Sequence, residues 1–202
     1  MKVGVLELQG DFELHHKILR QLGYSSFSVK DSSDLESLDG LIIPGGESTT
    51  MSLLIDAFNL RKSILDFSKE NSVLGTCAGL ILMSKFIEDE SKVRPLGILD
   101  IEVSRNAYGR QIMSNVENIS IESDSKIINM DVTLIRAPKI LKVNKNINVI
   151  AEIDNSPAAV FDGKNMGLSF HPELNGSTIF HEMLFDRAKK LNHKNSEGIN
   201  AA

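Results

Sequence analysis

The segment Ser72-Val73-Leu74-Gly75-Thr76-Cys77-Ala78-Gly79 decides the fold, because it places the chain's single cysteine in a tight small-x-Cys-x-small turn. The β-prone run before the turn predicts a short strand, and the apolar run from Leu80 to Phe86 predicts the start of a helix. A strand that turns sharply into a helix around a nucleophile is the elbow of Gly-x-Ser-x-Gly hydrolases. The turn also places the thiol at a helix N-terminus, which favours the thiolate. The segment therefore predicts covalent catalysis by Cys77, and the alternative is a buried structural cysteine.

The composition limits the class of protein. The 202 residues are 42% hydrophobic and 24% charged, which is typical of one soluble globular domain. The formal net charge is −5, and no basic cluster extends beyond Lys189-Lys190, so nucleic acid is not expected as the main partner. A single cysteine forms no internal disulfide, and no apolar run is long enough for a signal peptide or a membrane span. We therefore expect a cytoplasmic protein with no membrane partner.

Strand-like and helix-like segments alternate through the first half of the chain. This alternation predicts an α/β fold with a mostly parallel sheet covered by helices on both faces. The helices are expected at Asp11–Leu22 and, as one or two helices, at Thr49–Lys69. The strands are expected at Val3–Leu8, Phe27–Val29, Leu41–Ile43 and Ser72–Leu74.

Short β-like runs follow one another after Arg94. The turn Asp162-Gly163-Lys164-Asn165 predicts a hairpin between the last two, and a final helix is expected from Ser177 to about Leu191. We expect a single domain over residues 1–192 and a frayed polar tail over 193–202. The predicted strands are Ile98–Val103, Val116–Ile121, Val132–Ile135, Val149–Ile153, Ala158–Phe161 and Met166–Phe170.

Of the five histidines, His171 is the best candidate for the base that a nucleophilic cysteine needs. Like Cys77, it is expected at the carboxyl end of a strand, where the catalytic groups of a parallel sheet gather. In an extended His171-Pro172-Glu173 the two polar side chains project to one side, so that Glu173 can fix the imidazole tautomer. The alternative is a turn in which both side chains are solvated. A surface or packing role is expected for the histidines of the predicted helices, which are His15, His16 and His181.

Acyl chemistry also needs hydrogen-bond donors for the developing oxyanion. The backbone N–H of Ala78, directly after the nucleophile, is one candidate. The second lies in the loop Pro44-Gly45-Gly46-Glu47-Ser48, where glycine permits close approach to a substrate carbonyl. The alternative for this loop is an ordinary strand-to-helix turn with Ser48 or Thr49 as the N-cap.

Six motifs occur in order along the chain and together resemble one family. They are Leu8-Gln9-Gly10, Pro44-Gly45-Gly46-Glu47-Ser48-Thr49-Thr50-Met51, Gly75-Thr76-Cys77-Ala78-Gly79-Leu80-Ile81, Arg105-Asn106-x-Tyr108-Gly109-Arg110-Gln111, Ile135-Arg136-Ala137-Pro138 and Ser169-Phe170-His171-Pro172-Glu173-Leu174. The set resembles the glutaminase subunits of the two-protein pyridoxal 5′-phosphate synthase, which are class I glutamine amidotransferases. The resemblance runs from about Val3 to Leu191. It implies a three-layer, flavodoxin-like sheet with helices on both faces.

The resemblance implies a role for each matching residue of the catalytic centre. Cys77 is the nucleophile, His171 the general base and acid, and Glu173 the carboxylate that orients the imidazole. The backbone N–H groups of Gly46 and Ala78 form the oxyanion hole. No metal and no cofactor are expected.

The resemblance also implies a glutamine site made of Gly46, Glu47, Ser48, Arg105, Ile135 and Arg136. Free glutamine carries an α-carboxylate, which Arg105 or Arg136 can meet, and an α-ammonium group, which Glu47 can meet. The alternative for each arginine is a surface ion pair.

The implied reaction is hydrolysis of the side-chain amide of L-glutamine. The ammonia is expected to pass to a barrel-shaped synthase subunit that makes pyridoxal 5′-phosphate from a pentose phosphate and a triose phosphate. In the family, twelve glutaminase subunits can decorate a dodecamer of the synthase, and the isolated glutaminase is weakly active or silent. We hypothesise that a flip of the Gly45-Gly46 peptide, which creates or removes an oxyanion donor, switches the glutaminase between its silent and active states.

Three alternatives stay open from the sequence. The chain is a glutaminase for another ammonia acceptor, a different cysteine hydrolase on the same type of sheet, or a non-catalytic docking subunit. The Arg105-Asn106 and Ile135-Arg136-Ala137-Pro138 motifs argue against the first alternative. The second leaves the late His171-Pro172-Glu173 unexplained, and the intact Cys77, His171 and Glu173 argue against the third.

Overall fold

The computed structural model describes residues 1–88, 92–105, 115–123 and 126–186 of the chain. The helices are α1 (Phe12–Gln21), α2 (Ser48–Ala57), α3 (Leu60–Glu70) and α4 (Ala78–Met83). Residues 179–186 are also helical and are called α5. The strands are β1 (Lys2–Leu6), β2 (Ser25–Val29), β3 (Gly40–Ile43), β4 (Ser72–Thr76), β5 (Ser84–Ile87), β6 (Leu99–Ser104), β7 (Asn115–Ser123), β8 (Lys126–Leu134), β9 (Lys139–Val143), β10 (Asn148–Ile153), β11 (Ser156–Phe161) and β12 (Met166–Leu168).

The central sheet has seven strands in the order β10-β11-β12-β4-β3-β1-β2. Strands β12, β4, β3, β1 and β2 run parallel to one another, whereas β11 pairs antiparallel with β12 and β10 pairs antiparallel with β11. The hairpin predicted at Asp162–Asn165 connects β11 to β12. Because β4 and β12 are adjacent and parallel, their carboxyl ends lie side by side, which is the edge where ligands bind in such sheets. The predicted mostly parallel α/β sheet is confirmed.

Alternating residues of the sheet pack into two separate cores. Val5 and Ile42 face a core shared with α1 and α5, whereas Leu6 and Leu41 face a core shared with α2, α3 and α4. This alternation follows from the period of two in a strand, which sends successive side chains to opposite faces. The helices therefore cover both faces of the sheet, as the sequence pattern predicts.

The second half of the chain departs from the simplest interpretation of its pattern. Strands β5, β6 and β9 form a small separate sheet, and β7 and β8 form a hairpin of their own. The sequence pattern indicated neither β5 nor β9. Strand β9 reads Lys139-Ile140-Leu141-Lys142-Val143. Its two lysines occupy one half-buried and one exposed position, so the alternation of apolar and polar residues that indicates a strand is obscured.

The helix after the cysteine is shorter than the apolar run predicts. Helix α4 ends at Met83, and Ser84–Ile87 continue as β5 instead of a further helical turn. All six residues of α4 are buried, so its apolar character reflects burial on every side and says little about helix length. The predicted final helix is present over residues 179–186. Residues 187–202, which include the predicted tail, lie outside the described residues.

Within the described residues, no helix is long and apolar enough to cross a membrane.

Candidate active site

Cys77 lies in a strained elbow between β4 and α4. Its backbone has φ 49° and ψ −100°, a conformation that residues other than glycine rarely adopt. The Cys77 N–H donates to the carbonyl of Leu168 at 2.8 Å, so the elbow is tied to the end of β12. A non-glycine residue keeps such a backbone only when its surroundings enforce it, and such strain clusters at active sites. The predicted sharp strand-to-helix turn around Cys77 is therefore present.

Close backbone packing explains the second glycine of the elbow. A Cβ atom on Gly79 would lie 2.0 Å from the carbonyl oxygen of Ile43, at the end of β3. Because that oxygen is part of the backbone, it cannot move aside as a flexible side chain would. Glycine at position 79 therefore lets α4 start directly against the neighbouring strand.

His171 and Glu173 form a buried pair beyond the end of β12. The Nδ1 of His171 lies 2.6 Å from Oε1 of Glu173, and both residues are only 3% exposed. The His171 N–H donates to the carbonyl of Thr133 at 3.0 Å, so β8 holds the backbone of the histidine. The expected extended stretch is wrong, because residues Pro172–Asn175 form a 3₁₀-helix that begins directly after His171. This tight turn brings Glu173 back onto the imidazole, and both side chains are buried.

The charge state of His171 is set by its two neighbours. Burial alone would lower its pKa, but hydrogen bonds that the imidazole donates to the Cys77 sulfur and the Glu173 carboxylate outweigh burial and raise the pKa to about 10. Since Nδ1 is engaged by Glu173, Nε2 is the nitrogen available to Cys77. The structure therefore brings together Cys77, His171 and Glu173, the three residues that the sequence singled out.

The glycine loop after β3 packs directly on the imidazole. A Cβ atom on Gly45 would lie 2.2 Å from Cε1 of His171, so glycine is required there. Two contacts from the segment after β1 hold the loop. The Asp11 N–H donates to the carbonyl of Gly45 at 3.2 Å, and the Glu47 N–H donates to Oε1 of Gln9 at 2.9 Å.

Gln9 is a positioning contact that sequence reasoning did not assign. It entered only as part of the Leu8-Gln9-Gly10 motif, and a glutamine after a strand gives no local signal of its partner. The predicted oxyanion donors belong to adjacent structures. Gly46 lies in the loop that follows β3, and Ala78 is the first residue of α4 after β4, the strand paired with β3.

Glu47 caps α2 through its side chain. Its carboxylate accepts from the Thr49 N–H at 3.0 Å and from the Thr50 N–H at 2.7 Å. The alternative with Ser48 or Thr49 as the N-cap is therefore wrong, and Ser48 is instead a buried residue in the first turn. Burial raises the pKa of Glu47, but the hydrogen bonds from Thr50 and Thr49 dominate and lower it to about 2. Glu47 therefore carries its negative charge at neutral pH.

Arg105 approaches the same helix end from β6. Its Nη2 donates to Oγ1 of Thr49 at 3.2 Å and lies 3.9 Å from Oε1 of Glu47. Its Nε is buried and has no hydrogen-bond partner among the described residues. An arginine with an unused, buried donor beside a carboxylate is suited to bind a ligand that carries both charges. The rest of its motif, residues 106–111, lies outside the described residues.

Ile135 and Arg136 reach the site from the end of β8. The Cys77 thiol faces the carbonyl of Ile135, with Sγ 3.7 Å from the oxygen. Arg136 is exposed and has φ 46°, a left-handed conformation that turns the chain between β8 and β9. The Ile135 backbone is thus next to the nucleophile. No described contact of the Arg136 guanidinium places it on the glutamine site.

Two histidines that sequence reasoning left to surface or packing roles are buried behind the triad. His15 and His181 are both fully buried, so the surface alternative is wrong for both. The Nε2 of His15 lies 3.6 Å from Oε1 of Glu173, and its Nδ1 lies 3.0 Å from Nε2 of His181. The available signal was helical spacing, because His15 precedes the core residues Ile18 and Leu19 by three and four positions on one face of α1.

The comparison with known families agrees with this geometry. A sequence model of the SNO glutamine amidotransferase family matches residues 5–190 of the chain. The chain is a member of the SNO glutamine amidotransferase family. The family resemblance predicted from the six motifs is thereby confirmed.

Curated relatives are similar to this chain over nearly their whole length. The pyridoxal 5′-phosphate synthase subunit PdxT of Oenococcus oeni is 44% identical over 182 residues, which cover 90% of this chain and 94% of the relative. The protein of the same name from Thermosipho africanus is 41% identical and is covered over 100% of its length, with 94% of this chain.

Solved structures support the amidotransferase fold. A glutamine amidotransferase crystal structure superposes with a TM-score of 0.86 at 35% identity, and the match covers 93% of this chain and 98% of that one. A putative GMP synthase subunit from Thermoplasma acidophilum has a TM-score of 0.68 at 18% identity, over 96% of this chain and 98% of that one, and shows the fold alone. The predicted flavodoxin-like fold of a class I glutamine amidotransferase is confirmed.

The arrangement of these groups suits nucleophilic acyl chemistry. It combines a thiol, an imidazole held by a carboxylate, and glycine-rich backbone beside the thiol. Among the described residues, no group of three or more His, Cys, Asp or Glu side chains is arranged to hold a metal ion.

Proposed function

We propose that the chain hydrolyses the side-chain amide of L-glutamine to glutamate and ammonia, as the glutaminase subunit of a pyridoxal 5′-phosphate synthase. The observation that carries the proposal is the buried pair of His171 and Glu173 beside the strained elbow of Cys77, at the adjacent ends of β12 and β4. Family membership and the names of the curated relatives support the substrate and the partner.

The chemistry follows from the roles that the geometry favours. Nε2 of His171 takes the proton of the Cys77 thiol, and Cys77 Sγ attacks the amide carbon. The resulting oxyanion accepts hydrogen bonds from the backbone N–H groups of Gly46 and Ala78. The amide nitrogen takes a proton from Nε2 of His171 and leaves as ammonia, which gives a glutamyl thioester on Cys77. Water then attacks the thioester while His171 accepts its proton, so that glutamate and the free thiol are restored. Throughout, Glu173 holds Nδ1 of the imidazole.

The charges around the start of α2 support recognition of a free amino acid. The anionic Glu47 can meet the α-ammonium group, while the unused Nε of Arg105 can meet the α-carboxylate. The buried Ser48 and the backbone of Gly46 line the same strand end, and Ile135 brings its carbonyl to the thiol. We assign Arg136 to the edge of this site on its sequence position alone.

The fate of ammonia defines the partner in this proposal. The chain passes ammonia to the barrel-shaped synthase subunit, in a complex with twelve copies of each subunit and in the cytoplasm. The Gly45-Gly46 peptide is the proposed switch between a resting and an active oxyanion hole, since the Asp11 N–H fixes the Gly45 carbonyl and thereby the direction of the Gly46 N–H. A single domain over residues 1–192 with a frayed tail is part of the same proposal.

The decisive experiment measures ammonia release from glutamine with and without the synthase subunit. We expect release that the synthase subunit stimulates, and no release from asparagine. Stimulation by a different ammonia-accepting enzyme instead would assign the chain to another pathway. Absence of release under every condition would favour a docking subunit without catalytic activity.

The variant Cys77→Ala tests the nucleophile. We expect turnover in the complex to fall to background, while glutamine and the synthase subunit still bind, because alanine removes only the sulfur. The measurement is ammonia release together with calorimetric titration of glutamine. If hydrolysis persists in this variant, Cys77 is not the nucleophile.

A further inference from the structure

The triad has a second layer made of two buried histidines. His15, in α1, and His181, in α5, share a hydrogen bond of 3.0 Å between Nδ1 of His15 and Nε2 of His181. The other nitrogen of His15 points to the triad, with Nε2 lying 3.4 Å from Oγ1 of Thr76 and 3.6 Å from Oε1 of Glu173. The remaining nitrogen of His181, Nδ1, is buried and has no hydrogen-bond partner among the described residues.

Both imidazoles are neutral at physiological pH. Complete burial lowers the pKa of His15 well below its ordinary value, with His181, His171 and His16 adding repulsion, and burial lowers the pKa of His181 to about 3. A neutral imidazole has one N–H donor and one acceptor nitrogen. The hydrogen bond between the two rings therefore allows only two arrangements of protons.

In the first arrangement, His15 donates from Nδ1 to His181. The Nε2 of His15 then accepts from the Thr76 hydroxyl but also turns its lone pair toward the Glu173 carboxylate, and the Nδ1–H of His181 is a buried donor without an acceptor. Both consequences are costly, because a buried unpaired N–H loses its hydration and two electron-rich atoms repel each other.

In the second arrangement, His181 donates from Nε2 to Nδ1 of His15. The Nε2–H of His15 is then directed to Glu173 and Thr76, and the orphaned Nδ1 of His181 is an acceptor, which costs less than an orphaned donor. The chemistry of the surroundings therefore selects this arrangement. The distance of 3.6 Å is longer than a hydrogen bond, but such contacts at catalytic sites commonly tighten when substrate binds.

We propose that His15 is a positioning residue for glutamine hydrolysis, which presents an Nε2–H to Glu173 and is fixed in that tautomer by the Nε2–H of His181. The inference rests on the proposed triad of Cys77, His171 and Glu173. The donor keeps Glu173 aligned on Nδ1 of His171, because the other carboxylate oxygen, Oε2, has no hydrogen-bond partner among the described residues to hold it. His15 acts through its contact with Glu173.

The proposal predicts a shift in the pH dependence of turnover. Loss of the N–H donor loosens Glu173 from Nδ1 of His171. Because that hydrogen bond helps to raise the pKa of His171, the pKa falls and the alkaline limb of the kcat profile moves to lower pH. The titratable groups that face His15 are Glu173, His171 and His181, and His16 follows it on its own helix. Since His15 and His181 stay neutral through this range, His171, which Cys77 and Glu173 face, is the group whose titration changes.

A pair of variants separates the donor from the volume of the side chain. His15→Gln keeps an amide N–H near the position of Nε2, whereas His15→Met has similar length and no donor. In complex with the synthase subunit, we expect His15→Met to lower kcat about tenfold or more with little change in KM, and to move the alkaline limb downward by about one pH unit. We expect His15→Gln to restore most of kcat and the original limb. Equal profiles for the two variants would overturn the proposal.

His16→Gln is the matched control. His16 follows His15 in α1 and is also buried, but its Nε2 contacts Glu7 at 2.7 Å and its Nδ1 contacts Ser26, both away from the triad. We expect this variant to keep the wild-type alkaline limb even where it lowers stability. A shift of the limb equal to that of His15→Met would mean that any change of packing in α1 produces it.

Nitrogen-15 NMR of the imidazoles provides a readout that needs no activity. We expect His15 and His181 both to be protonated on Nε2 and bare on Nδ1 between pH 6 and 8, using ¹⁵N-histidine-labelled protein. Protonation of His15 on Nδ1 would contradict the proposal. Failure of the proposed triad and failure of the proposed role of His15 give different results. Persistent hydrolysis by Cys77→Ala would contradict the triad. An inactive Cys77→Ala together with equal behaviour of His15→Met and His15→Gln would contradict only the role of His15.

Discussion

At the scale of single residues, Glu173 is the group on which the charge of His171 depends most directly after Cys77. Its Oε1 lies 2.6 Å from Nδ1 of the imidazole, inside a pocket that water does not reach. The two hydrogen bonds to His171 overcome the effect of burial, which alone would favour the neutral ring. Removing either bond should therefore return the titration of His171 toward neutral pH.

The variant Glu173→Gln tests this dependence. We expect the pKa of His171 to fall from about 10, because an amide replaces the negative charge while burial remains. Turnover should fall by roughly 10²–10⁴-fold, the range found when the carboxylate of a catalytic triad is neutralised. The measurements are an NMR titration of the His171 Cε1–H and ammonia release. An unchanged pKa would show that Cys77 alone sets the charge of His171.

Sequence reasoning found the residues whose chemistry is visible in local motifs. Cys77, His171 and Glu173 each lie in a short stretch with its own signal, namely the elbow glycines and a His-Pro-Glu turn after a strand. His15, His181 and Gln9 have partners that are distant in sequence and belong to other elements. Only the packing of α1, α5 and the glycine loop against the sheet reveals these contacts.

At the scale of elements, the loop after β3 and the end of β12 are packed against each other without spare volume. A Cβ atom on Gly45 would lie 2.2 Å from Cε1 and 2.9 Å from Nδ1 of His171. The imidazole would have to move, and its bonds to Glu173 and Cys77 depend on its position.

The variant Gly45→Ala should therefore lower kcat strongly, by a hundredfold or more, since small displacements of catalytic groups have effects of this size. Gly163→Ala is the control, because nothing lies within 4 Å of its added Cβ while its φ of 102° makes the substitution strained. We expect the control to lose stability but to retain kcat. The comparison requires steady-state kinetics and thermal unfolding of both variants. Normal turnover by Gly45→Ala would mean that the loop moves freely.

The elements of the first half follow their sequence pattern more closely than those of the second. The helix predicted at Asp11–Leu22 is α1 at Phe12–Gln21, because one apolar face at helical spacing leaves no alternative. The extended stretch predicted at His171-Pro172-Glu173 is instead a 3₁₀-helix. A proline after the histidine suits both the first position of a helix and an extended chain, so the local pattern does not distinguish them.

At the scale of the whole molecule, the buried histidines link stability to pH. His15 and His181 have pKa values lowered below 6.5 in the folded state, whereas in the unfolded chain they take up protons as the pH falls through 6.5. Unfolding therefore consumes protons below pH 6.5, and the stability present above that pH is lost progressively toward pH 3 for His181.

We expect the free energy of unfolding to fall by roughly 1 kcal/mol per pH unit for each of these histidines between pH 6.5 and 4.5. Urea denaturation at a series of pH values measures this slope. His15→Gln removes one of the two groups, so its slope from this source should be about half that of the wild type. Parallel slopes for the two proteins would show that His15 titrates normally in the folded state.

The general architecture was predictable because alternating strands and helices have few ways to form a layered sheet. The separate sheet of β5, β6 and β9 and the hairpin of β7 and β8 were not, since strand pairing depends on contacts between distant segments. These additions matter to the site, because the carbonyl of Thr133 in β8 holds the backbone of His171.

The pairing of β4 with β12 also has a consequence during synthesis of the chain. Cys77 is synthesised early, whereas His171 and Glu173 belong to the last part of the described chain. A chain still emerging from the ribosome therefore has its thiol but neither the base nor the carboxylate, and a fragment that stops before β12 cannot release ammonia. Catalytic competence therefore requires β12 and the 3₁₀-helix that follows it.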